Sequence, residues 1–577
     1  MMDYRKEFER WLDSPALSEE EWKELDAIRS DENEIKSRFR GPLEFGTAGL
    51  RGVMGVGLNR MNVHVVRWAT QAFAALILAE GDEARHRGVV ICYDCRNNSP
   101  EFAMEAACVC AANGIHVRLF DALRPTPELS FAVIEYGAVA GINVTASHNP
   151  AAYNGYKVYW SDGAQLPPQH AAAVAQRMSE IDIFTDVSTI PFQEALEKGM
   201  IEYLGAETDE LFLKNVMGQT IDPSPVKAVA DNFRIVYTPF HGAGHKLVPE
   251  ALRRLGIKEI YPVPEQMVID GNFPTVESPN PENPEGFYLA VDLAKKVGSE
   301  LIIGTDPDSD RVGVMALGKD GEYHTITGNQ MGALLSDYVI EARRRAGTMP
   351  QRPAILSTIV STPMTRTICE ANGVHFQETF TGFKFMAEKI NQYVAEGTYS
   401  YIMSFEESYG YMMGDYVRDK DAVTASMMIA EMAAYYYQKG MTLLDAVDAL
   451  YAKYGWFRER TLNIYMEGVD GPERMAALMA SLRAAPPAEL AGQPVIRMRD
   501  YRDGTIAVPG LGVVEHMELS GSNVLYFELE NDTNVVIRPS GTEPKIKIYV
   551  LARGKDAEES LARLESVSAG AALLGKD

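Results

Sequence analysis

The sequence is poor in cysteine, short of positive charge and without long apolar runs, and each shortage excludes a class of protein. Five cysteines among 577 residues are too few, and odd in number, for a disulfide framework, which favours a reducing compartment. No apolar run reaches the roughly 18 residues needed to cross a bilayer. We therefore expect a soluble, cytoplasmic protein with no membrane partner.

Basic residues number 55 against 80 acidic ones, and the formal net charge is -25. A polyanion is repelled by such a field, so we do not expect a nucleic acid partner. Cys92 and Cys95 have CxxC spacing, but no second pair completes a zinc site. Neither a Walker A loop nor a dinucleotide fingerprint is present, which disfavours a nucleotide-dependent enzyme.

The sequence does contain enough apolar material for several cores. Apolar residues make up 46%, and at about 150 residues per domain the length predicts three to four domains. Short apolar runs that end in a polar turn and precede a helical pattern recur at 88–107, 234–256 and 354–373. This alternation predicts α/β domains with largely parallel strands, whereas the last section reads as α+β.

Turn-rich or charged stretches divide the chain, and its first segment opens with a helical extension. Two acidic amphipathic helices are predicted before about residue 40, with Trp11, Leu12, Trp22 and Leu25 as apolar anchors. The predicted segments are 1–205, 206–326, 327–455 and 456–577.

Ser147 follows an apolar strand-like run and enters a tight turn. That position exposes a hydroxyl at the carboxyl edge of a sheet, where α/β proteins bind ligands. The alternative for a lone serine at such a position is a structural role as a turn or helix cap. For Lys157, ten residues further on, the alternative is a solvated lysine. These alternatives stay open on the residues alone.

Three aspartates follow a second apolar run, at Asp306, Asp308 and Asp310. If the backbone is extended, side chains two apart point the same way and the carboxylates converge. All-oxygen ligation favours a hard cation, Mg²⁺ above Zn²⁺. An EF-hand is excluded because Arg311 occupies the sixth loop position, and an aspartate-rich turn is the structural alternative.

Two further loops carry polar side chains suited to a phosphorylated polyol. Glu406 accepts and Ser408 donates hydrogen bonds, so the pair can hold vicinal hydroxyls, although an exposed acidic turn is the alternative. The following RDKD run could equally form surface salt bridges. Arg538 precedes a Ser-Gly-Thr turn whose N–H groups and hydroxyls suit phosphate oxygens. Arg51, in a glycine-rich stretch, is a further candidate for phosphate binding.

Together these loops resemble those of a known family. TASHNP, GTDPDSDR, FEESYGY and RPSGTEPK are similar to the phosphoserine, metal, sugar and phosphate loops of the α-D-phosphohexomutases. The resemblance extends to EFGTAGLRG, RPTPELSFA, YTPFHGAG, ETFTGFKF and VRDKDA, and thus over nearly the whole chain. It is strongest to the long branch of bacterial α-phosphoglucomutases and the eukaryotic phosphoglucomutase/phosphopentomutase type. Ser309 and Phe405 depart from the frequent Ala and Gly.

The resemblance implies a fold and a set of residue roles. The fold would be three similar α/β domains with mixed, largely parallel sheets and a C-terminal α+β domain of TATA-binding-protein-like fold, around a central cleft. One Mg²⁺ per subunit would bind Ser147, Asp306, Asp308 and Asp310. Catalysis would involve Ser147, His148, Lys157 and Lys420, with Arg311 lining the reacting centre. Substrate would contact Arg51, Thr381, Gly382, Lys384, Glu406, Ser408, Arg418, Arg538, Ser540, Gly541 and Thr542.

The implied reaction interconverts α-D-glucose 1-phosphate and glucose 6-phosphate through phosphoserine, with glucose 1,6-bisphosphate as primer and intermediate. Mannose or pentose phosphates are alternative substrates, and a phosphatase, a kinase or a catalytically silent relative is an alternative class. Lys157, Lys420 and His148 are candidates for the general base and acid, since neighbouring cations can lower a lysine pKa towards neutrality. We expect a monomer or small homo-oligomer.

Overall fold

A computed structural model describes residues 3–46, 49–466, 471–540 and 545–574, and within them the strands form four sheets. The first three sheets mix parallel and antiparallel pairs and carry helices, and the fourth is antiparallel. The expected fold class is therefore confirmed. The segment boundaries derived from the sequence stay a prediction.

Helices open the chain, and the first sheet follows. In the order β1-β5-β4-β2-β3-β6, the strands β4, β2, β3 and β6 run parallel, and β5 is antiparallel to both β4 and β1. The helices are α1 (Tyr4–Leu12), α2 (Glu19–Ala27), α3 (Glu32–Phe39), α4 (Val63–Ala79), α5 (Asp82–Arg87), α6 (Ser99–Ala112), α7 (Thr126–Glu135), α8 (Pro168–Glu180) and α9 (Phe192–Glu197). The strands are β1 (Leu50–Val53), β2 (Val89–Tyr93), β3 (Val117–Phe120), β4 (Ala140–Val144), β5 (Tyr153–Trp160) and β6 (Ile201–Leu204).

The N-terminal helices dock on the first sheet through a shared apolar cluster. Trp11, Leu12 and Leu25 are buried there, as expected, but Trp22 is 40% exposed. The expectation for Trp22 is wrong because Glu21 and Leu25, four residues apart, occupy the inward face of α2 and leave Trp22 at its margin. Three helices, and not the expected two, lie within the described residues up to 46.

The second sheet has the order β11-β10-β9-β7-β8, in which β9, β7 and β8 are parallel and β10 is antiparallel to both its neighbours. Its buried strand β9 reads as a continuous apolar run, as expected for a strand covered on both faces. The helices are α10 (Ala206–Met217), α11 (Ser224–Val229), α12 (Gly244–Leu255) and α13 (Tyr288–Val297), and the strands are β7 (Arg234–Thr238), β8 (Glu259–Pro262), β9 (Leu301–Thr305), β10 (Val312–Leu317) and β11 (Tyr323–Ile326).

The third sheet has the order β13-β12-β14-β15, with only β15 antiparallel to its neighbour among the described strands. Its first helix begins at a capping box formed by Thr327 and Gln330. The helices are α14 (Gly328–Ala346), α15 (Met364–Ala371), α16 (Phe383–Glu396), α17 (Ala422–Gln438) and α18 (Leu443–Tyr454), and the strands are β12 (Pro353–Thr358), β13 (His375–Thr379), β14 (Ser400–Glu406) and β15 (Gly410–Met412).

The fourth sheet packs differently on its two faces. Val535 and Ile537 of one strand lie under the helices α19 and α20, whereas Val536 packs with Ile359 and Phe380 of the preceding segment. This alternation follows from the two-residue period of a strand. The helices are α19 (Gly471–Ala484) and α20 (Ala557–Ala571), and the strands are β16 (Trp456–Tyr465), β17 (Glu489–Leu490), β18 (Gln493–Asp500), β19 (Thr505–Val508), β20 (Gly512–His516), β21 (Leu525–Leu529), β22 (Thr533–Pro539) and β23 (Lys545–Gly554).

Among the described helices, none combines the length and the apolar character needed to cross a bilayer. The three mixed sheets point the carboxyl ends of β4, β9 and β14 at loops that carry Ser147, Asp306 and Glu406. This is the edge at which α/β sheets bind ligands.

Candidate active site

Ser147 lies just beyond β4 in a strained turn. Its φ is +51°, a left-handed conformation that non-glycine residues seldom adopt. Its backbone N–H donates to Thr145 Oγ1 at 2.8 Å, and its own hydroxyl donates to Asp306 Oδ2 at 2.7 Å. Nδ1 of His148 lies 3.2 Å from the same hydroxyl. The serine oxygen is thus buried against the first aspartate of the second loop.

Asp306, Asp308 and Asp310 do converge, but by a different route from the one expected. The expectation of extended backbone is wrong, because the chain turns after β9 and Ser309 has a φ of +53°. Asp306 Oδ1 closes the turn by accepting the N–H groups of Asp310 and Arg311, both at 3.0 Å. The carboxylates are gathered by a turn rather than by strand alternation.

The three carboxylates fit a divalent cation. All three are buried, and one oxygen of each lies within 4.8 Å of the others. Oδ1 of Asp308 and Oδ1 of Asp310 accept no hydrogen bond from the described residues. Burial and the two neighbouring carboxylates raise the pKa of Asp306 well above its usual value. Such a set of oxygens, partly unsatisfied and mutually repelling, is suited to a hard cation such as Mg²⁺.

Two lysines from distant parts of the chain lie against these carboxylates. Lys157, on β5, lies 2.7 Å from Asp308 and 3.4 Å from Asp310, and Lys420, before α17, lies 3.2 Å from Asp310. Burial lowers the pKa of each ammonium, but the facing carboxylates outweigh it and raise both pKa values. For Asp308 too, burial is outweighed, and Lys157 lowers its pKa. The expectation of a lowered lysine pKa is therefore wrong for this arrangement.

His148 and Arg51 contact the Ser147 turn directly. Burial, then the positive charges of Arg311 and Arg51, lower the pKa of His148 well below its usual value. Arg51, on β1, donates to Asn149 Oδ1 at 3.0 Å. Both predicted residues thus flank the Ser147 turn.

Arg311 connects the aspartate loop to the predicted sugar loop. Its side chain donates to Glu282 Oε1 at 2.7 Å, and its backbone forms an isolated antiparallel β-bridge with the backbone of Gly410. Its neighbour Val312 donates to the carbonyl of Tyr409, a residue with a φ of +66°. The turn after β14 is therefore fixed to the aspartate loop.

Glu406 ends β14 and is buried beside the start of α16. Its Oε1 accepts the N–H of Gly382 at 2.5 Å, while Ser408 and Thr381 are half-buried in the flanking turns. A Cβ on Gly410 would lie 2.2 Å from the Lys420 side chain, so glycine is needed for that lysine to pass. Glu406, the turns at Gly382 and Gly410, and Lys420 are thus neighbours in the candidate site.

The predicted phosphate side is made of basic residues from the third and fourth sheets. Burial and then the charge of Arg538 lower the pKa of Lys384. Ser540 donates its N–H to the carbonyl of Lys545 at 2.8 Å. Gly541 and Thr542, also predicted here, lie outside the described residues.

The RDKD run is not a solvated surface. Asp419, Lys420 and Asp421 are buried, so its interpretation as a surface salt-bridge run is wrong. Arg418 donates to Asn391 Oδ1 at 2.8 Å and to two backbone carbonyls, and its predicted substrate contact stays a prediction.

Sequence reasoning missed two residues that hold the site together. Thr126, the first residue of α7, donates to Asp308 twice, from its N–H to the carbonyl at 2.8 Å and from its hydroxyl to Oδ2 at 2.9 Å. Asp419 accepts from Tyr159 at 2.9 Å and lies 3.2 Å from the Lys420 ammonium. The RPTPELSFA motif was a signal for Thr126, whereas Asp419 was hidden in a run that reads as solvent-exposed.

Comparison with known families covers the four sheets in order. Residues 42–183, 213–318 and 327–454 match the phosphoglucomutase/phosphomannomutase alpha/beta/alpha domains I, II and III, and residues 502–565 match the C-terminal domain of the same family.

Individual proteins agree with these matches. A Staphylococcus aureus (strain MRSA252) phosphoglucomutase is 34% identical over 534 residues, which is 92% of this chain and 94% of that protein. A Staphylococcus epidermidis phosphoglucomutase is 35% identical over 512 residues, 88% of this chain and 90% of its own.

Solved structures share the fold. A putative phosphomannomutase from Thermus thermophilus superposes with a TM-score of 0.67 at 20% identity, covering 93% of this chain and 100% of its own. The open form of Paramecium parafusin gives 0.66 at 16% identity, with 93% and 95% covered.

The chain therefore belongs to the α-D-phosphohexomutase superfamily, in its phosphoglucomutase/phosphomannomutase family. It is a phosphosugar mutase, an enzyme of the isomerase class.

Proposed function

We propose that the enzyme interconverts α-D-glucose 1-phosphate and glucose 6-phosphate, with Ser147 as the phosphoryl carrier. The single observation that carries this proposal is the contact of Ser147 Oγ with Asp306 at 2.7 Å, inside a buried set of three carboxylates. The curated relatives in Staphylococcus that share 34–35% identity are named phosphoglucomutases, which supports glucose phosphate as the substrate.

In the first half-reaction, phospho-Ser147 gives its phosphoryl group to the free hydroxyl of the sugar monophosphate. The product is glucose 1,6-bisphosphate, which turns over in the cleft and returns its other phosphoryl group to Ser147. Phosphoryl transfer has a loose transition state, so positioning and charge neutralisation supply most of the rate. The charged residues around Ser147 suit that task.

Asp306, Asp308, Asp310 and the Ser147 phosphate would hold one Mg²⁺ per subunit. When bound, the ion supplies positive charge that offsets the phosphoryl oxygens and the carboxylates. Lys157, Arg51 and Arg311 add fixed cations from three different strands or loops. Proton transfer to and from the sugar hydroxyl falls to Lys157, Lys420 or His148, each of which lies at the carboxylate cluster or at the serine.

The sugar and its distal phosphate would be held by residues of the third and fourth sheets. Glu406 and Ser408 would bind the hydroxyls in either orientation, next to Thr381, Gly382 and Arg418. The distal phosphate would bind Arg538 with Lys384, Ser540, Gly541 and Thr542. In this scheme segments 1–205, 206–326, 327–455 and 456–577 each provide one loop of a central cleft.

Replacing the carrier tests the proposal. We predict that Ser147→Ala lowers mutase turnover on glucose 1-phosphate by at least about 10⁴-fold, because no group remains to store the phosphoryl unit. The measurement is steady-state conversion with glucose 1,6-bisphosphate supplied, and Ser299→Ala, a buried serine remote from the site, is the matched control. Full turnover by the Ser147 variant contradicts the proposal.

The substrate is tested separately. The values of kcat/KM for glucose, mannose, ribose and deoxyribose 1-phosphates are expected to be highest for glucose. A higher value for mannose or a pentose would reassign the substrate and leave the mechanism intact. Inorganic phosphate as the main product would indicate a phosphatase, and inactivity on all four sugars would indicate a silent relative.

A further inference from the structure

The turn that carries Ser147 is held in a conformation that it would not adopt alone. A non-glycine residue in the left-handed region costs on the order of 1 kcal/mol or more and persists only where its surroundings impose it. Within residues 147–153, the carbonyls of Ser147, His148 and Asn149 accept no hydrogen bond from a backbone N–H of the described residues outside helices and strands, whereas that of Pro150 accepts the N–H of Tyr153 at 3.0 Å. The source of the restraint is therefore to be found in the groups that bind those carbonyls.

Most of these carbonyls are bound by one side chain. Arg96, on the loop after β2, is 1% exposed. Its Nη2 donates to the carbonyls of Ser147, at 2.6 Å, and of Asn149, and its Nη1 donates to those of Pro150, at 3.0 Å, and Tyr153, at 2.9 Å. A planar fork with five donors can do this, whereas a lysine ammonium cannot reach four acceptors spread along a turn.

The guanidinium of Arg96 is paired with a buried carboxylate, that of Asp94. Asp94 Oδ2 lies 3.3 Å from Arg96 Nε, and the same carboxylate accepts the hydroxyl of Thr145 at 2.6 Å. Thr145 Oγ1 in turn accepts the N–H of Ser147. The serine is therefore held on its carbonyl side by Arg96 and on its N–H side by Thr145, with Asp94 joining the two.

A segment of the second sheet's domain completes the restraint. The Arg96 guanidinium lies 5.1 Å from the ring centroid of Phe273, and a Cβ on Gly271 would lie 2.4 Å from the backbone N of Asn97. Ser278 donates its hydroxyl to the carbonyl of His148 at 3.0 Å. The His148 carbonyl, which lies between two carbonyls bound by Arg96, is thus bound by this segment, which precedes α13 and β9 in the chain.

We propose that Arg96 is a positioning residue for phosphoryl transfer, and that Ser278 acts with it to lock the Ser147 turn against the aspartate loop. The inference rests on the proposed function, since it assumes that Ser147 is the carrier. Arg96 touches neither the serine hydroxyl nor the carboxylate cluster in any contact of the described residues. It acts through the backbone, by keeping Ser147 Oγ where the phosphoryl group must arrive.

The test is the rate at which Ser147 is loaded. Dephosphorylated enzyme is mixed with glucose 1,6-bisphosphate, quenched at intervals, and the phosphorylation of the Ser147 peptide is followed by mass spectrometry. We expect Arg96→Lys to lower the loading rate constant about 10- to 100-fold, and Arg96→Met to lower it further. Ser278→Ala is expected to lower it about 2- to 10-fold, the effect of one hydrogen bond. The KM for glucose 1-phosphate stays unchanged, because the proposed sugar contacts lie on other loops.

The rate constant separates positioning from folding. A variant that merely folds less well gives a smaller amplitude at the wild-type rate constant. Ser299→Ala, which removes a buried serine hydroxyl that binds the carbonyls of Arg234 and Leu301, is the matched control and should load at the wild-type rate. Ser278→Ala also keeps the test decisive if the Arg96 variants do not fold.

Three results would overturn the inference. Loading of the Arg96 and Ser278 variants at the wild-type rate constant would show that the turn needs no such restraint. A change confined to KM would place the two residues in substrate binding. If the wild-type enzyme itself did not phosphorylate Ser147, the proposed function would be rejected, and the inference with it. This outcome differs from the other two because it is observed without any variant.

Discussion

At the scale of single residues, three loops that meet at the candidate site each hold a non-glycine residue in a left-handed conformation. Ser147, Ser309 and Tyr409 all have positive φ values, between +51° and +66°, and each lies in a different one of these loops. Non-glycine residues in this region cost free energy that neighbouring contacts must offset. The contacts that do so here, from Arg96, Asp306 and Arg311, also connect one loop to the next.

The cation site is tested at Asp308. We predict that Asp308→Asn lowers turnover by at least about 100-fold, because an amide leaves one negative charge fewer to hold a divalent ion. The measurement is kcat across a Mg²⁺ titration, with Asp320→Asn, an exposed aspartate, as the control. Activity near the wild-type level, in the variant or after treatment of the wild type with a chelator, would contradict the assignment.

Glu407 predicts a pH dependence of substrate binding. Burial, and then repulsion by Glu406, raise its pKa to about 7, although Lys547 and Arg538 oppose the shift. Below pH 7 the side chain is mainly neutral, and above it a new negative charge acts on Arg538, which is proposed to bind the phosphate. We therefore expect the ratio of the wild-type KM to that of Glu407→Gln to rise about 3- to 10-fold between pH 6 and pH 8.

The ratio is the proper readout because ionisation of the substrate phosphate is the same for both proteins and cancels. A ratio that does not change with pH would show that Glu407 does not titrate in this range or does not face the phosphate. The hydroxyl of Thr358, which donates to Glu407 at 3.2 Å, can donate equally to the glutamine carbonyl. The substitution thus alters the charge with little change in packing.

At the scale of elements, helix α17 joins the second and third sheets. It packs against α11 and α12, and Glu431 on its buried face accepts hydrogen bonds from the segment before α11. The N–H groups of Ile221 and Asp222 donate to this carboxylate at 3.1 Å, and the Tyr338 hydroxyl donates at 2.9 Å. One side chain thus satisfies three donors from two other parts of the chain.

We predict that Glu431→Gln lowers the free energy of unfolding by about 2 to 4 kcal/mol, because the amide nitrogen cannot accept from a buried N–H. Chemical denaturation measures the effect, and Glu388→Gln, at an exposed position of α16, is the control with the same chemical change. A difference of less than about 0.5 kcal/mol between the two variants would mean that the bonds to Glu431 contribute little.

Elements with a clear pattern of apolar residues were predictable from the sequence, and features that depend on tertiary contacts were not. The apolar runs at β2, β7, β9 and β12 form strands as expected, because a buried strand must be apolar on both faces. The burial of the RDKD run was not predictable, since its charges are satisfied by residues more than 100 positions away, such as Tyr159 and Asp310.

At the scale of the whole molecule, the candidate site combines loops and helices associated with all four sheets. Ser147 meets Asp306, Arg311 meets the turn after β14, and the charge of Arg538 on β22 acts on Lys384 of α16. Sequence reasoning named most of these residues, because their motifs resemble those of a family. It did not assign a role to Thr126, Asp419 or Arg96, because their significance lies in partners that only the folded chain brings together.

The central claim is that the Ser147 oxygen carries a phosphoryl group from one turnover to the next. The most direct measurement is peptide mass spectrometry of enzyme quenched during steady-state turnover on glucose 1-phosphate. The account predicts up to one phosphoryl group per chain, all of it on the peptide that contains Ser147, and none on that peptide in Ser147→Ala. A phosphoryl group on another residue, or an active enzyme that carries none, would contradict it.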